Sequence, residues 1–147
     1  MNGPTILLIE DNPGDAALIV DALARVVPRD HVIVCPDGVA ALDYLHARGE
    51  YAGREAMPLF ALLDLNLPRL GGFEVLRQIR AEAVTRLLPV TVLSGSDRAE
   101  DVRMAAQLGA NSFVRKPADG GKMTEMLAQL ARYWLDLNIP PPCCGGQ

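Results

Sequence analysis

The chain has 147 residues, half of them hydrophobic, with 14 Lys plus Arg against 18 Asp plus Glu and a net charge of −4. That length holds one domain with a short appendage and leaves no room for a further DNA-binding module of about 60 residues; an acidic chain without a Lys/Arg block also argues against nucleic-acid binding. Apolar runs stop at five residues, as at 59–63, where a membrane span needs about 20, the N-terminus has no basic signal region, and the three unevenly spaced cysteines (Cys35, Cys143, Cys144) suit a reducing cytoplasm better than a disulfide framework.

Residues 5–9 (Thr-Ile-Leu-Leu-Ile) form an apolar run of strand length, the pattern of a strand buried on both faces. Asn12-Pro13 then reads as N-cap and first helical residue, and Ala16, Ile19, Val20, Leu23 and Val27 share one helical face. A second strand is expected at 31–35. The helix opened by Asp37-Gly38 should turn Val39, Leu42 and Leu45 inward. The third strand is read at 59–64, and its helix carries Val75, Leu76 and Ile79. The fourth strand is read at 89–94. Asp97 with Glu100 resembles a capping box before a helix with Val102, Ala105, Ala106 and Gly109 on its inner face. A short strand at 111–115 and a last helix at about 118–136 follow, leaving 137–147 as a Pro/Cys/Gly tail without regular structure. Strict β/α alternation predicts an α/β, doubly wound, five-stranded parallel sheet flanked by five helices.

Sites in such folds lie at the carboxyl ends of the strands. Those ends carry Glu10-Asp11, Asp64, Ser94 and Lys116-Pro117, while the strand interiors are nearly free of charge. Each has an ordinary reading. Asp64 could cap a turn, Glu10-Asp11 could sit at a helix N-terminus, and a single lysine usually lies along the surface. Their joint appearance at four strand ends favours chemistry. Clustered carboxylates repel one another and need a cation to stay ionised. Oxygen ligands suit Mg²⁺ or Mn²⁺, and such a cation with an ammonium and a hydroxyl can hold a phosphoryl group. A carboxylate can also attack phosphorus, which points to an aspartyl phosphate.

The motifs Ile-Glu10-Asp11-Asn-Pro, Leu-Leu-Asp64-Leu-Asn-Leu-Pro68 with Gly72, Leu-Ser94-Gly and Phe113-Val-Arg-Lys116-Pro117 resemble those of a response-regulator receiver domain of two-component signalling (the CheY-like family). The resemblance covers about residues 5–136, so a receiver would span 1–136. It implies Asp64 as phosphoacceptor, with Asp11, Asp64 and the backbone carbonyl of Asn66 as metal ligands and Glu10 in the outer shell. Lys116 would pair with the phosphoryl group and Ser94 would hydrogen-bond it. Phe113 matches the aromatic whose rotation accompanies activation, and Pro117 would follow a cis bond. Glu10, Ser94 and Phe113 replace the commoner Asp, Thr and Tyr. Of these changes only Phe113 removes a functional group, the hydroxyl. The module would accept its phosphoryl group from a histidine kinase and assist its own dephosphorylation, without being a separate enzyme.

The stretch from Asp37 to Tyr51, the long connection after it and the closing Tyr133-Trp-Leu are also similar to single-domain regulators that partner phytochrome-type histidine kinases. A phosphatase of the Asp-x-Asp type would need an acid where Asn66 stands. A flavin phosphate would be repelled by Glu10-Asp11. With eleven residues left beyond 136, output is expected through the surface of the fourth helix, fifth strand and fifth helix. Met104, Leu108, Met126, Tyr133 and Leu137 are the candidate interface residues there, for a homodimer or another partner. A widened core stripe, or packing against the tail, would explain the same pattern.

Overall fold

The apolar runs become the strands of one parallel sheet, and the amphipathic segments between them become helices on its two faces. The computed structural model describes residues 3–142. In chain order the elements are β1 (Ile6–Ile9), α1 (Pro13–Leu23), β2 (Val32–Cys35), α2 (Gly38–Leu45), β3 (Phe60–Asp64), α3 (Gly72–Ala81), β4 (Val90–Ser94), α4 (Ala99–Gln107), β5 (Ser112–Arg115) and α5 (Gly120–Arg132). The strand order is β2-β1-β3-β4-β5, parallel throughout. The expected doubly wound architecture is the observed one. Cys143 to Gln147, and with them the last part of the expected tail, lie outside the described residues.

β1, β3 and β4 are buried along their whole length, as central strands with helices on both faces must be. One core lies between the sheet and α1 with α5, around Ile19, Leu23, Phe60, Leu62, Leu127 and Trp134. The other lies beneath α2 and α3, around Leu45, Leu63, Leu76 and Ile79. Trp134 is the second residue of a π-helical turn, Tyr133–Leu137, that continues α5. Its ring stacks on Phe60 and its Nε1 donates to Thr91 Oγ1 at 3.1 Å.

The helix starts follow from side-chain chemistry. Asn12 Oδ1 accepts from the Asp15 N–H, and Asp37 Oδ1 from the Ala40 N–H, each satisfying an otherwise orphaned donor. Gly38 permits a close approach, since a Cβ there would lie 2.5 Å from Val75 Cγ2 and 2.8 Å from the Leu70 carbonyl oxygen.

Four local expectations fail. Val39 is exposed, because Gly38, Ala41, Leu42 and Leu45 form the face of α2 that meets the core. On α4 only Ala105 is buried; Val102 and Ala106 face outward, since this helix packs mainly on β5 and α3. Asp97 does not cap α4. Arg98 occupies that position, while the Asp97 carboxylate faces Arg115 at 3.3 Å. No cis peptide bond occurs among the described residues, so the bond before Pro117 is trans, the lower-energy form by about 0.5–1 kcal/mol.

Candidate functional site

The parallel register delivers the predicted residues to one edge. β1 and β3 run side by side, with Ile9 opposite Leu63, so Glu10 and Asp64 emerge together just past them. The Glu10 N–H donates to the Cys35 carbonyl at 3.0 Å, holding the end of β1 to β2. Across the sheet, the Lys116 N–H donates to the Ser94 carbonyl at 2.7 Å, which ties the end of β5 to β4. Gly72 begins α3 directly against the chain after Asp64. A Cβ at this glycine would meet the Asp64 carbonyl oxygen at 2.6 Å, so only glycine lets α3 press on that turn.

At the centre is the half-buried Lys116 ammonium, beside the buried Glu10 and Asp64. Its Nζ donates to Glu10 Oε1 at 2.7 Å and to Asp15 Oδ2 at 3.3 Å, and lies 3.8 Å from Asp64 Oδ2. The second Glu10 oxygen, Oε2, accepts from the Asn12 N–H at 3.2 Å. Asp64 Oδ1 accepts from the Asn66 N–H at 3.3 Å. Ser94 is buried, and its Oγ accepts from the Ser96 N–H at 3.1 Å. Asp11 is exposed at the rim.

Burial first, and the Glu10 charge second, push the Asp64 carboxyl up to about 6, with Lys116 acting in the opposite direction. For Lys116 burial works against the charged form. The Glu10 hydrogen bond and the charges of Asp64, Glu10 and Asp15 outweigh it and raise the ammonium above its ordinary range. Ligand oxygens of Glu10, Asp11 and Asp64 all lie within 4.8 Å of one another, an all-oxygen donor set that fits a hard divalent cation. Both Glu10 oxygens already accept hydrogen bonds, which suits this residue to an outer shell rather than to direct ligation.

Phe113 is half-buried on β5, opposite Val92 and two strands from Asp64. Among the candidate interface residues, Met104, Tyr133 and Leu137 are exposed, at 41%, 47% and 74%. Met126 and Leu108 instead pack partly against the two cores, so the widened-stripe reading applies to them. Asp15 is the residue that strand-end reasoning did not bring to this site. Its position in the first turn of α1 was legible, but its contact with Lys116, a hundred residues on, was not.

The family model of the response regulator receiver domain matches residues 6–128. This chain belongs to that family. Among curated proteins, the receiver is 38% identical over 136 residues to the probable methanogenesis regulatory protein FilR2 of Methanothrix harundinacea, covering 92% of this chain and 86% of that one. It is 33% identical over 131 residues to response regulator Rcp1 of Synechocystis sp., covering 89% and 88%. Rcp1 has been solved in a Mn²⁺-bound form, which this receiver matches with a TM-score of 0.85 at 32% identity over 95% of this chain and 99% of that one. The phosphorylated cyanobacterial phytochrome response regulator RcpA matches with a TM-score of 0.89 at 34% identity, over 95% and 99%. Among the described residues, no helix of the receiver is long and apolar enough to cross a membrane.

Proposed function

We propose that this receiver is a phosphoacceptor switch in which Asp64 takes a phosphoryl group from a histidine kinase. The observation that carries this reading is the half-buried Lys116 ammonium, held by the buried Glu10 within 3.8 Å of Asp64 at the edge where Asp11 also emerges. An Asp64 oxygen attacks phosphorus, the O–P bond forms, and the donor's bond to phosphorus breaks with its electron pair leaving on the donor. Lys116 then donates to a phosphoryl oxygen, and Ser94 Oγ, which accepts from the Ser96 N–H, donates its own hydrogen to another. Asp11, Asp64 and the Asn66 carbonyl would hold Mg²⁺, or Mn²⁺, with Glu10 bonded to its water. When bound, the cation neutralises charge on the phosphoryl oxygens.

The similarity to Rcp1 and RcpA supports a phytochrome-type kinase as the upstream partner. A phosphoryl group adds roughly −1.5 to −2 charge at one point. The response would be read on the face of α4, β5 and α5, where Phe113 fills space as Ser94 turns. Exposed Met104, Tyr133 and Leu137 support that face as a homodimer or partner surface, in a protein that works in the cytoplasm.

Incubation with acetyl phosphate, with and without Mg²⁺, tests the central reading. A phosphoryl mass increment that requires Mg²⁺ and is lost in Asp64→Asn is expected. Absence of label, or its survival in Asp64→Asn, overturns it. For the surface, a solution mass unchanged by phosphorylation and by Tyr133→Asp, and equal to one chain, rejects self-association.

A further inference from the structure

Lys116 has three N–H donors, and in the resting protein neither of its hydrogen bonds points at the acceptor. One goes to Glu10 at 2.7 Å and one to Asp15 at 3.3 Å, while Asp64 stands off at 3.8 Å. We propose that Asp15 is a positioning residue that parks the Lys116 ammonium on the α1 side of the site and must release it for phosphoryl transfer to Asp64. This inference rests on the phosphoacceptor reading above.

Asp15 is built for such a role by its place in the chain. It lies in the first turn of α1, and its N–H donates to Asn12 Oδ1 at 2.9 Å, so its backbone cannot follow Lys116 across the site. The two bonds to Lys116 also differ in character. The Glu10 side chain is 1% exposed and that of Asp15 is 45% exposed. Water can replace the ammonium at Asp15 but not at Glu10, so the Asp15 bond is the one that breaks with little loss. During transfer from acetyl phosphate, the Asp64 O–P bond forms and the P–O bond to the acetyl group breaks, with acetate leaving on the electron pair. Lys116 changes partner, from the Asp15 carboxylate to a phosphoryl oxygen, and no proton is transferred. Breaking the Asp15 contact is thus part of reaching the transition state, and its removal raises the maximal rate.

The test compares wild type, Asp15→Asn and Asp15→Glu in saturating Mg²⁺, following the phosphoryl mass increment against acetyl phosphate concentration. Asp15→Asn is expected to raise the maximal rate about two- to fivefold with little change in the half-saturating donor concentration. Asp15→Glu restores a carboxylate and falls between the two. A lower half-saturation at unchanged maximal rate would mean that Asp15 acts only by repelling the anionic donor, and overturns the inference. So does an unchanged or slower Asp15→Asn, or an Asp15→Glu as fast as Asp15→Asn. Wild type without Mg²⁺-dependent label on Asp64 sinks the phosphoacceptor reading itself, and this inference with it.

Discussion

Lys116 bonds Glu10, not Asp64: its Nζ is 2.7 Å from the first carboxylate and 3.8 Å from the second. Asp64 is therefore a buried carboxylate whose nearest cation is already engaged, beside a second buried negative charge. Lys116 offsets only part of the repulsion at Asp64, and a bound cation or a proton would relieve the rest.

Asp64→Asn should stabilise the metal-free protein at neutral pH. The Asp64 carboxyl is pushed up to about 6, chiefly by burial and then by Glu10, whereas an unfolded Asp titrates near about 3.9. Between those values the native state binds more protons than the unfolded state. Stability then falls as pH rises through about 4 to 6 and stays reduced above it. In EDTA at pH 7.5, urea unfolding should show Asp64→Asn more stable by up to about 2–3 kcal/mol. The gain should shrink at pH 4.5.

Asp37 has the opposite dependence. Its carboxylate accepts from the Ala40 N–H at 2.8 Å and from Arg69 Nη2 at 2.6 Å, contacts that hold its carboxyl below the usual range, the backbone bond most of all. The stability it contributes is present above about pH 4 and is lost as pH falls through the lower folded value. Asp37→Ala should cost about 1 kcal/mol at pH 7, with the deficit narrowing in acid denaturation curves.

Arg80 fastens α3 to the far end of the sheet. Its guanidinium donates to the carbonyls of Gly109 at 2.9 Å, Arg86 at 3.0 Å and Leu88 at 2.7 Å, and to Asn111 Oδ1 at 2.9 Å. Arg80→Met leaves these acceptors without their donor and should cost about 2–3 kcal/mol in urea unfolding. Arg80→Lys should recover little of it, because one ammonium cannot span acceptors arranged for a planar fork.

Cys35 should be chemically silent in the folded protein. Burial pushes its thiol up to about 11, against the smaller opposing effect of the Tyr51 hydroxyl. Thiolate is the reactive form, so in a Cys143→Ser/Cys144→Ser variant a thiol reagent at pH 8 should label Cys35 only when urea unfolds the chain. Rapid native labelling would contradict the buried placement.

The strands were legible because burial on both faces demands uninterrupted apolar runs, and Ile6–Ile9 and Phe60–Asp64 have few alternatives. The caps at Asn12 and Asp37 were legible because each local geometry is closed within a few residues. The start of α4 was not: Ser96, Asp97 and Asp101 all offer oxygens there, and Arg115 on a neighbouring strand draws Asp97 away. Nor was the outward turn of Val39 and Val102, since periodicity marks a helical face but not which neighbour that face meets.

The β/α alternation, the strand ends and the types of side chain gathered there can be read from the chain alone, because they depend on local burial and on the strand-end rule. How those side chains divide their bonds emerges with the packed fold: Lys116 on Glu10 and Asp15, Glu10 satisfied on both oxygens, Asp64 left crowded. Hydrogen bonds between residues a hundred positions apart are chosen by differences such as 2.7 against 3.8 Å, and those distances exist only once both cores have packed.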